Sequence, residues 1–195
     1  SLTDLLDQEV TVVSKKSQKV EEAPAIISVI TRKEMMDRGY LNLLDALNSL
    51  PGINSVETFF GFRQVFFRGI YSPLYNDKTL VLINGNPFWD SVHGSHYIES
   101  FPMEAIKRLE VIRGPGSTLY GTNAFAGVIN IVTESGESLK GSANGFLRYG
   151  SHKTFEAGLT AGNSKDDVSW LLSLTLRNGE GYPVENPVDE LGNSF

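Results

Sequence analysis

The pattern of apolar and polar positions changes near residue 135. Before it, short apolar runs of strand length alternate with short amphipathic segments. After it, apolar and polar residues alternate with period two over 142–149, 154–161 and 168–177. Short helices mixed with short strands indicate an α+β domain. Period-two alternation predicts antiparallel strands that are apolar on one face and polar on the other.

Capping residues mark the predicted helices. Thr31 and Glu34 are spaced as a capping box, and Gly39 ends the helix that they begin. Asn42 begins a second helix. Its apolar face carries Leu43, Leu44, Leu47 and Leu50. Because proline suits the first helical position, a third short helix is predicted over Pro102 to Arg108.

Strand-forming runs separate these helices. They cover residues 9–13, 25–31, 53–56, 64–68, 79–83, 109–113 and 127–133. Asn84-Gly85 predicts a tight turn after one of them, and Gly162 to Ser164 predicts another turn between two alternating segments. Residues 14–22 are polar without apolar periodicity, which predicts a flexible linker.

Composition excludes several classes of protein. The chain has 195 residues and no cysteine, so disulfides and thiolate metal sites are excluded. The net charge is −6 and the cationic residues are scattered, which argues against nucleic-acid binding. No run approaches the ~20 apolar residues of a membrane-spanning helix. No signal peptide is visible and the end has no stop character, so we expect a piece of something longer.

Six motifs follow one another in an order that is typical of one family. They are residues 24–36, 43–53, 67–70, 80–85, 106–121 and 126–133. The second reads LLDALNSLPGI, the third FRGI and the fifth IKRLEVIRGPGSTLYG. The fourth, LVLING, has Asn84 where the family usually has Asp. Together they resemble the plug domain of TonB-dependent outer-membrane receptors, followed by the first strands of their barrel.

The resemblance implies a fold class and a division into domains. The fold is α+β, a small mixed-sheet plug domain with short helices followed by antiparallel strands of an incomplete transmembrane β-barrel. Residues 1–22 are expected to be an N-terminal extension with a TonB box and linker, 23–135 the plug domain, and 136–195 the first barrel strands. From alternation alone, a soluble β-sandwich edge explains the last part equally well.

The resemblance also implies a function. We expect an energy-coupled outer-membrane receptor for a scarce ligand, such as a ferric siderophore, haem or cobalamin, with the plug inside the barrel of a Gram-negative bacterium. Expected partners are TonB with its inner-membrane energising complex, an extracellular small ligand and outer-membrane lipid, but no nucleic acid. No catalytic constellation, metal site or cofactor is predicted. A soluble periplasmic binding or signalling module with a plug-like fold is the alternative, and an envelope enzyme is a weaker one.

The predicted TonB box lies near the N-terminus, which we expect to be periplasmic. It comprises Glu9, Val10, Thr11, Val12, Val13 and Ser14. An extended, β-prone segment can add to the edge of a partner sheet through backbone hydrogen bonds. The alternative is that these residues form the first strand of the plug sheet.

The resemblance implies that two plug loops, 57–63 and 86–97, reach the extracellular side and contact the ligand. Their candidate ligand-binding residues are Phe59, Phe60, Phe62, Arg63, Phe88, Trp89, His93, His96 and Tyr97. Exposed aromatic clusters suit planar or catecholate-like ligands. The two histidines could share a metal, but two solvated loop histidines are the favoured interpretation.

Three charged residues resemble those that face the barrel wall in this family. They are Arg68, Glu110 and Arg113. Because buried arginines must be paired, we expect plug–barrel contacts. The alternative is a solvated surface role.

Overall fold

The computed structural model describes residues 9–10, 18–19, 26–57, 63–72, 76–89, 94, 96–98, 101–116 and 120–181. The chain divides into two compact units, Ser1–Glu134 and Ser135–Phe195. The expected boundary between residues 22 and 23 lies outside the described residues. No helix in the described part of the chain is long and apolar enough to cross a membrane.

Short strands dominate the described part of the first unit, and short helical segments connect some of them. The strands are β1 (Glu9–Val10), β2 (Gln18–Lys19), β3 (Ile27–Thr31), β4 (Ile53–Glu57), β5 (Arg63–Phe67), β6 (Thr79–Ile83), β7 (Asn86–Pro87), β8 (Ile106–Arg113) and β9 (Gly127–Thr133). The helices are α1 (Arg32–Asp37), α2 (Leu43–Asn48) and a 3₁₀ turn at Met103–Ala105. This α+β architecture confirms the predicted fold class.

A mixed sheet with the strand order β3-β8-β9-β6-β7 forms the centre of this unit. Its neighbouring strands are antiparallel except β6 and β9, which run parallel with Thr79 opposite Gly127. Strands β4 and β5 form a separate antiparallel pair with Ile53 opposite Phe67. β1 and β2 form another two-stranded pair. β2 lies within the predicted linker, whose remaining residues, 14–17 and 20–22, are outside the described residues, so the linker stays a prediction.

Helices α1 and α2 begin where their capping residues predict, and α1 ends before Gly39 as predicted, whereas α2 ends at Asn48, before Leu50. The Thr31 side chain accepts a hydrogen bond from the backbone N–H of Glu34 at 3.2 Å, and Asn42 accepts one from Asp45 at 3.1 Å. Gly39 follows α1 with φ +68°, a conformation that glycine adopts without strain. The helices bury Met35 and the α2 leucines against one face of the sheet.

The sheet is apolar on both faces, which is why its central strands are almost continuously hydrophobic. The helix-side core contains Val81, Leu109, Val111, Ile129 and Ile131. The opposite face carries a smaller cluster. It consists of Leu80, Leu82, Ile112, Ala124 and Val128, with Ile27 and Tyr120 packed against it.

The predicted helix over Pro102 to Arg108 is wrong. Only Met103–Ala105 form a 3₁₀ turn, and β8 already begins at Ile106, which pairs with Thr133. Ile106 is fully buried, and the burial of its apolar side chain in the core stabilises the strand conformation at this position. The pairing register shifts between Ile106 and Arg108. This irregularity interrupts the period-two alternation of apolar and polar residues by which a strand is recognised in a sequence.

In the second unit, residues 135–181 form three antiparallel strands and one short helix. The strands are β10 (Ala143–Tyr149), β11 (Phe155–Lys165) and β12 (Val168–Asn178), and the helix is α3 (Gly136–Leu139). Alternation predicted the shared face of β12 correctly. The side chains of Val168, Trp170, Leu172, Leu174 and Leu176 are all exposed there.

The predicted turn at Gly162 to Ser164 is wrong. β11 continues to Lys165, Gly162 pairs with Leu171, and the turn lies at Asp166–Asp167. Gly162 instead permits a close approach of α3. A Cβ atom there would lie 3.1 Å from Leu139 Cδ1 and 3.2 Å from Gly136 Cα. Neither α3 nor this contact was predicted from the sequence.

Candidate functional site

A network of polar side chains lies on the face of the central sheet away from the helices. Glu110 of β8 is fully buried and accepts hydrogen bonds from Arg108 Nε at 2.8 Å and from Asn130 Nδ2 at 3.1 Å. Asn130 Oδ1 in turn accepts from the backbone N–H of Gly85 at 3.0 Å. A buried carboxylate requires such partners, and here they join β8, β9 and the turn after β6.

The turn Asn84–Gly85 is fixed to the end of β9. Both residues have positive φ, +50° and +81°, as a type I′ turn requires. Asn84 Nδ2 donates to Thr133 Oγ1 at 2.9 Å, and Asn84 Oδ1 accepts from Thr133 N at 2.9 Å. The predicted turn is confirmed, and these contacts add a reason for an amide side chain at position 84.

Tyr120 lies half-buried beside this network. Burial raises the pKa of its hydroxyl, and the charge of Glu110 raises it further. Both effects keep the hydroxyl protonated over the ordinary pH range. Arg108 also approaches Glu110 as an ion pair, with Nη2 2.7 Å from Oε1.

The three charged residues expected at the barrel wall occupy different surroundings. Arg68 is exposed in the turn after β5, with φ +50°. Glu110 has no exposed surface. Arg113 donates through Nη2 to Ser28 Oγ at 2.7 Å and through Nη1 to the Pro51 carbonyl at 3.3 Å. The side chain of Glu110 contacts Arg108 and Asn130, and not Arg68 or Arg113. The contact of Arg68, Glu110 and Arg113 with a barrel stays a prediction.

The predicted ligand-binding residues fall into three groups. Phe59, Phe60, Phe62 and His93 lie outside the described residues. Trp89 and Tyr97 are each 44% exposed, and Arg63 is exposed with its Nε 3.9 Å from Glu57. Phe88, in contrast, packs against the helix-side core. Among the described members, Trp89 and Tyr97 thus offer aromatic surface to a ligand.

His96 is buried, so the expectation that both loop histidines are solvated is wrong for this residue. Its Nδ1 is hydrogen-bonded to the side-chain amide of Asn76, which is also buried. The Asn76 side chain thus explains why a polar ring is tolerated inside the protein. Within the described ranges, no three His, Asp or Glu side chains are grouped to hold a metal ion.

A shallow pocket of about 10 Å³, roughly the room that one water molecule needs, opens beside Asn76. Its lining comprises Gln64, Val65, Phe66, Ile70, Tyr71, Ser72, Asn76, Lys78 and Thr79. The Thr79 hydroxyl is buried and has no hydrogen-bond partner in the described structure. Hydroxyl, amide and ammonium groups in one cavity suit a small polar group. Sequence reasoning missed it, because Thr79 and Gln64 stand in runs whose only visible signal is strand propensity.

The predicted TonB box is described only at Glu9–Val10, and Thr11 to Ser14 lie outside the described residues. Glu9 and Val10 form β1 and pair with Lys19 and Gln18. They are therefore extended, as strand addition requires. β1 pairs with β2 in a sheet that is separate from the central sheet. The alternative, that these residues form the first strand of the plug sheet, therefore does not match the pairing of Glu9 and Val10.

Comparison with known proteins identifies relatives. The chain is 33% identical over 186 residues to the vitamin B12 transporter BtuB of Vibrio vulnificus (strain CMCP6), covering 93% of this chain and 29% of the relative. It is 39% identical over 124 residues to an iron-regulated outer membrane virulence protein of Vibrio cholerae serotype O1, covering 60% of this chain and 18% of that protein. The chain thus spans less than a third of the length of these relatives.

Solved structures share the fold. The pyoverdine outer membrane receptor FpvA of Pseudomonas aeruginosa PAO1 superposes with a TM-score of 0.72 at 20% identity, over 88% of this chain and 24% of that one. The ferric yersiniabactin uptake receptor FyuA of Yersinia pestis gives 0.62 at 24% identity, over 80% of this chain and 24% of that one. The family model described as TonB-dependent Receptor Plug Domain matches residues 19–128. The chain therefore belongs to the TonB-dependent receptor plug domain family.

Proposed function

We propose that this chain is the plug and the first barrel strands of a receptor that imports a scarce ligand with energy transmitted by TonB. The observation that carries the proposal is the family match over residues 19–128, which covers the central sheet except residues 129–133 of β9. Membership of this family of receptors places the chain in the outer membrane of a Gram-negative bacterium. In the proposed arrangement the plug lies inside the barrel, with its N-terminus in the periplasm.

The proposed ligand is a large metal chelate, either cobalamin or a ferric siderophore. One sequence relative is named a vitamin B12 transporter and another an iron-regulated outer membrane protein, which supports these two ligand classes. The exposed rings of Trp89 and Tyr97 provide flat apolar surface for such a ligand.

The strands of the second unit are proposed to begin the barrel, with the exposed apolar face of β12 directed toward lipid. Their alternation and antiparallel pairing support this role. The opposite face is polar, with Thr160 hydrogen-bonded to Ser173 and Arg148 paired with Glu156 at 2.8 Å. A β-strand that is apolar on one side and polar on the other suits the boundary between lipid and a filled barrel.

Coupling is proposed to use residues 9–14, which would add as a strand to the periplasmic domain of TonB. The experiment is calorimetric titration of the 195-residue chain in detergent with the periplasmic C-terminal domain of TonB. The matched variant is Val12→Pro, which removes a backbone donor and should prevent strand addition. We expect binding by the natural sequence and its loss in the variant. Absence of binding by both proteins would contradict the coupling role.

A further inference from the structure

The exposed residue Tyr97 lies between two buried neighbours. His96 is 4% exposed and Ile98 is 1% exposed, whereas Tyr97 is 44% exposed. Ile98 belongs to the helix-side core, and its carbonyl accepts a hydrogen bond from the backbone N–H of Phe101 at 3.2 Å. The backbone on both sides of Tyr97 is therefore attached to the interior of the first unit, while much of Tyr97 itself is accessible.

Asn76 makes the contact that holds the His96 side. It is buried, and its side-chain amide is hydrogen-bonded to His96 Nδ1. Gly94 lies against the backbone of the same residue, because a Cβ atom there would be 3.4 Å from the carbonyl oxygen of Asn76. The side chain and the backbone of Asn76 thus both contact the residues that lead to Tyr97.

Asn76 closely precedes the central sheet, which fixes its own place. The carbonyl of Lys78 accepts a hydrogen bond from Ala126 N at 2.7 Å, and Thr79 pairs with Gly127. A ring held on an ordered backbone loses less conformational entropy on binding than a mobile ring does. An anchor of this kind therefore increases the affinity for a ligand without touching it.

We propose that Asn76 is a positioning residue, which holds Tyr97 in place for the imported ligand through its hydrogen bond with His96. The inference rests on the proposed function, because it requires that Tyr97 contacts this ligand. Loss of the hydrogen bond releases the His96 side, while Ile98 stays in the core. Since a net hydrogen bond contributes modestly to an equilibrium, its loss weakens ligand binding by about fivefold.

The first measurement needs no ligand and uses the 195-residue chain in detergent. Asn76→Ala removes the amide, and Asp77→Ala is the matched control, because Asp77 is exposed and next in the chain. Hydrogen exchange followed by mass spectrometry reports local opening of the backbone over residues 94–98. We expect exchange there to be about fivefold faster in Asn76→Ala and unchanged in Asp77→Ala. Unchanged exchange in Asn76→Ala, or faster exchange throughout β6 and β9, would overturn the proposal.

A conservative variant tests whether the hydrogen bond is the cause. Asn76→Asp keeps an oxygen that accepts a hydrogen bond from a protonated His96 Nδ1. We expect this variant to exchange like the natural sequence over residues 94–98. Exchange as fast as in Asn76→Ala would show that the hydrogen bond does not hold the segment.

The second measurement is titration of the same proteins with cyanocobalamin and with a ferric catecholate. Asn76→Ala should bind about fivefold more weakly, and Asn76→Asp should bind like the natural sequence. Because Asn76 acts through Tyr97, the double variant with Tyr97→Ala should bind like Tyr97→Ala alone. Additive losses would show that Asn76 affects the ligand by another route, which contradicts the proposal.

The results separate this inference from the proposed function. If the natural sequence binds a probe and Asn76→Ala binds it equally well, the positioning role is refuted while the proposed ligand class stands. If neither probe binds the natural sequence, the proposed ligand class is refuted, and the role of Asn76 in binding with it. Weaker binding that depends on Tyr97, together with faster exchange over 94–98, supports both.

Discussion

Asn130 connects the buried carboxylate of Glu110 to the backbone of Gly85. Its Nδ2 donates to Glu110 Oε2 at 3.1 Å, and its Oδ1 accepts from Gly85 N at 3.0 Å. One amide thus joins β8 and β9 to the turn between β6 and β7. Because both of its ends have partners, the orientation of the amide is fixed.

Replacing Glu110 by alanine should destabilise the first unit by about 3 kcal/mol, because Arg108 and Asn130 would lose their acceptor in a buried site. Urea unfolding followed by tryptophan fluorescence measures this. In a Trp170→Phe background, Trp89 is the remaining tryptophan. Lys107→Ala is the control, because Lys107 is exposed on the same strand. An equal loss in both variants would contradict the importance of the network.

Stability should decrease at alkaline pH through Tyr120. Its pKa is raised in the folded protein, first by burial and then by Glu110, above the ordinary value of 10.0. As the pH rises through this interval, the unfolded chain releases the proton while the folded chain retains it, so the free energy of unfolding falls. Unfolding at a series of pH values measures the slope, and Tyr120→Phe should make it shallower. A slope unchanged in this variant would show that Tyr120 is not its source.

Asn84 should tolerate aspartate better than alanine. In Asn84→Asp the carboxylate still accepts from Thr133 N, and the Thr133 hydroxyl can donate to it. Asn84→Ala loses both bonds and puts an ordinary residue at φ +50°. We expect a loss of about 2 kcal/mol for alanine and less than about 0.5 kcal/mol for aspartate, from chemical denaturation. Similar losses for both would show that the side-chain bonds contribute little.

Trp89 and Phe88 are neighbours in sequence and should behave differently. Trp89→Ala is expected to weaken ligand binding about tenfold and leave the melting temperature unchanged, since the ring is exposed. Phe88→Ala is expected to cost about 2 kcal/mol of stability, because this ring packs on the core. Calorimetric melting, with titration of cyanocobalamin and of a ferric catecholate, distinguishes them. Lower stability of Trp89→Ala would indicate that its ring has a structural role.

Local signals predicted much of the fold. Thr31 and Asn42 located α1 and α2, because a cap involves only residues within about four positions of it, and Asn84-Gly85 located its turn for the same reason. Predictions failed where a distant partner decides the conformation. Ile106 is a strand residue because Thr133 pairs with it, and Gly162 makes room for a helix rather than a turn.

The candidate site was less predictable. The aromatic residues Trp89 and Tyr97 were identified by type, and both are exposed. The burial of His96 depends on Asn76, twenty residues earlier in the chain. The cavity at Thr79 likewise combines residues from separate strands and loops. Such groupings arise from tertiary packing, which a single sequence does not reveal.

The strand order β3-β8-β9-β6-β7 has a consequence for how the first unit folds. Ile27, in the first strand of this sheet, pairs with Ile112, and the parallel partner of β6 is β9, the last strand of the sheet to be synthesised. Contacts between such distant segments slow folding, because the chain loses the entropy of loop closure before the strand pairing can stabilise it. Until Thr133 has been synthesised, the earlier strands therefore lack the partner that completes the sheet, and their apolar faces stay open to aggregation.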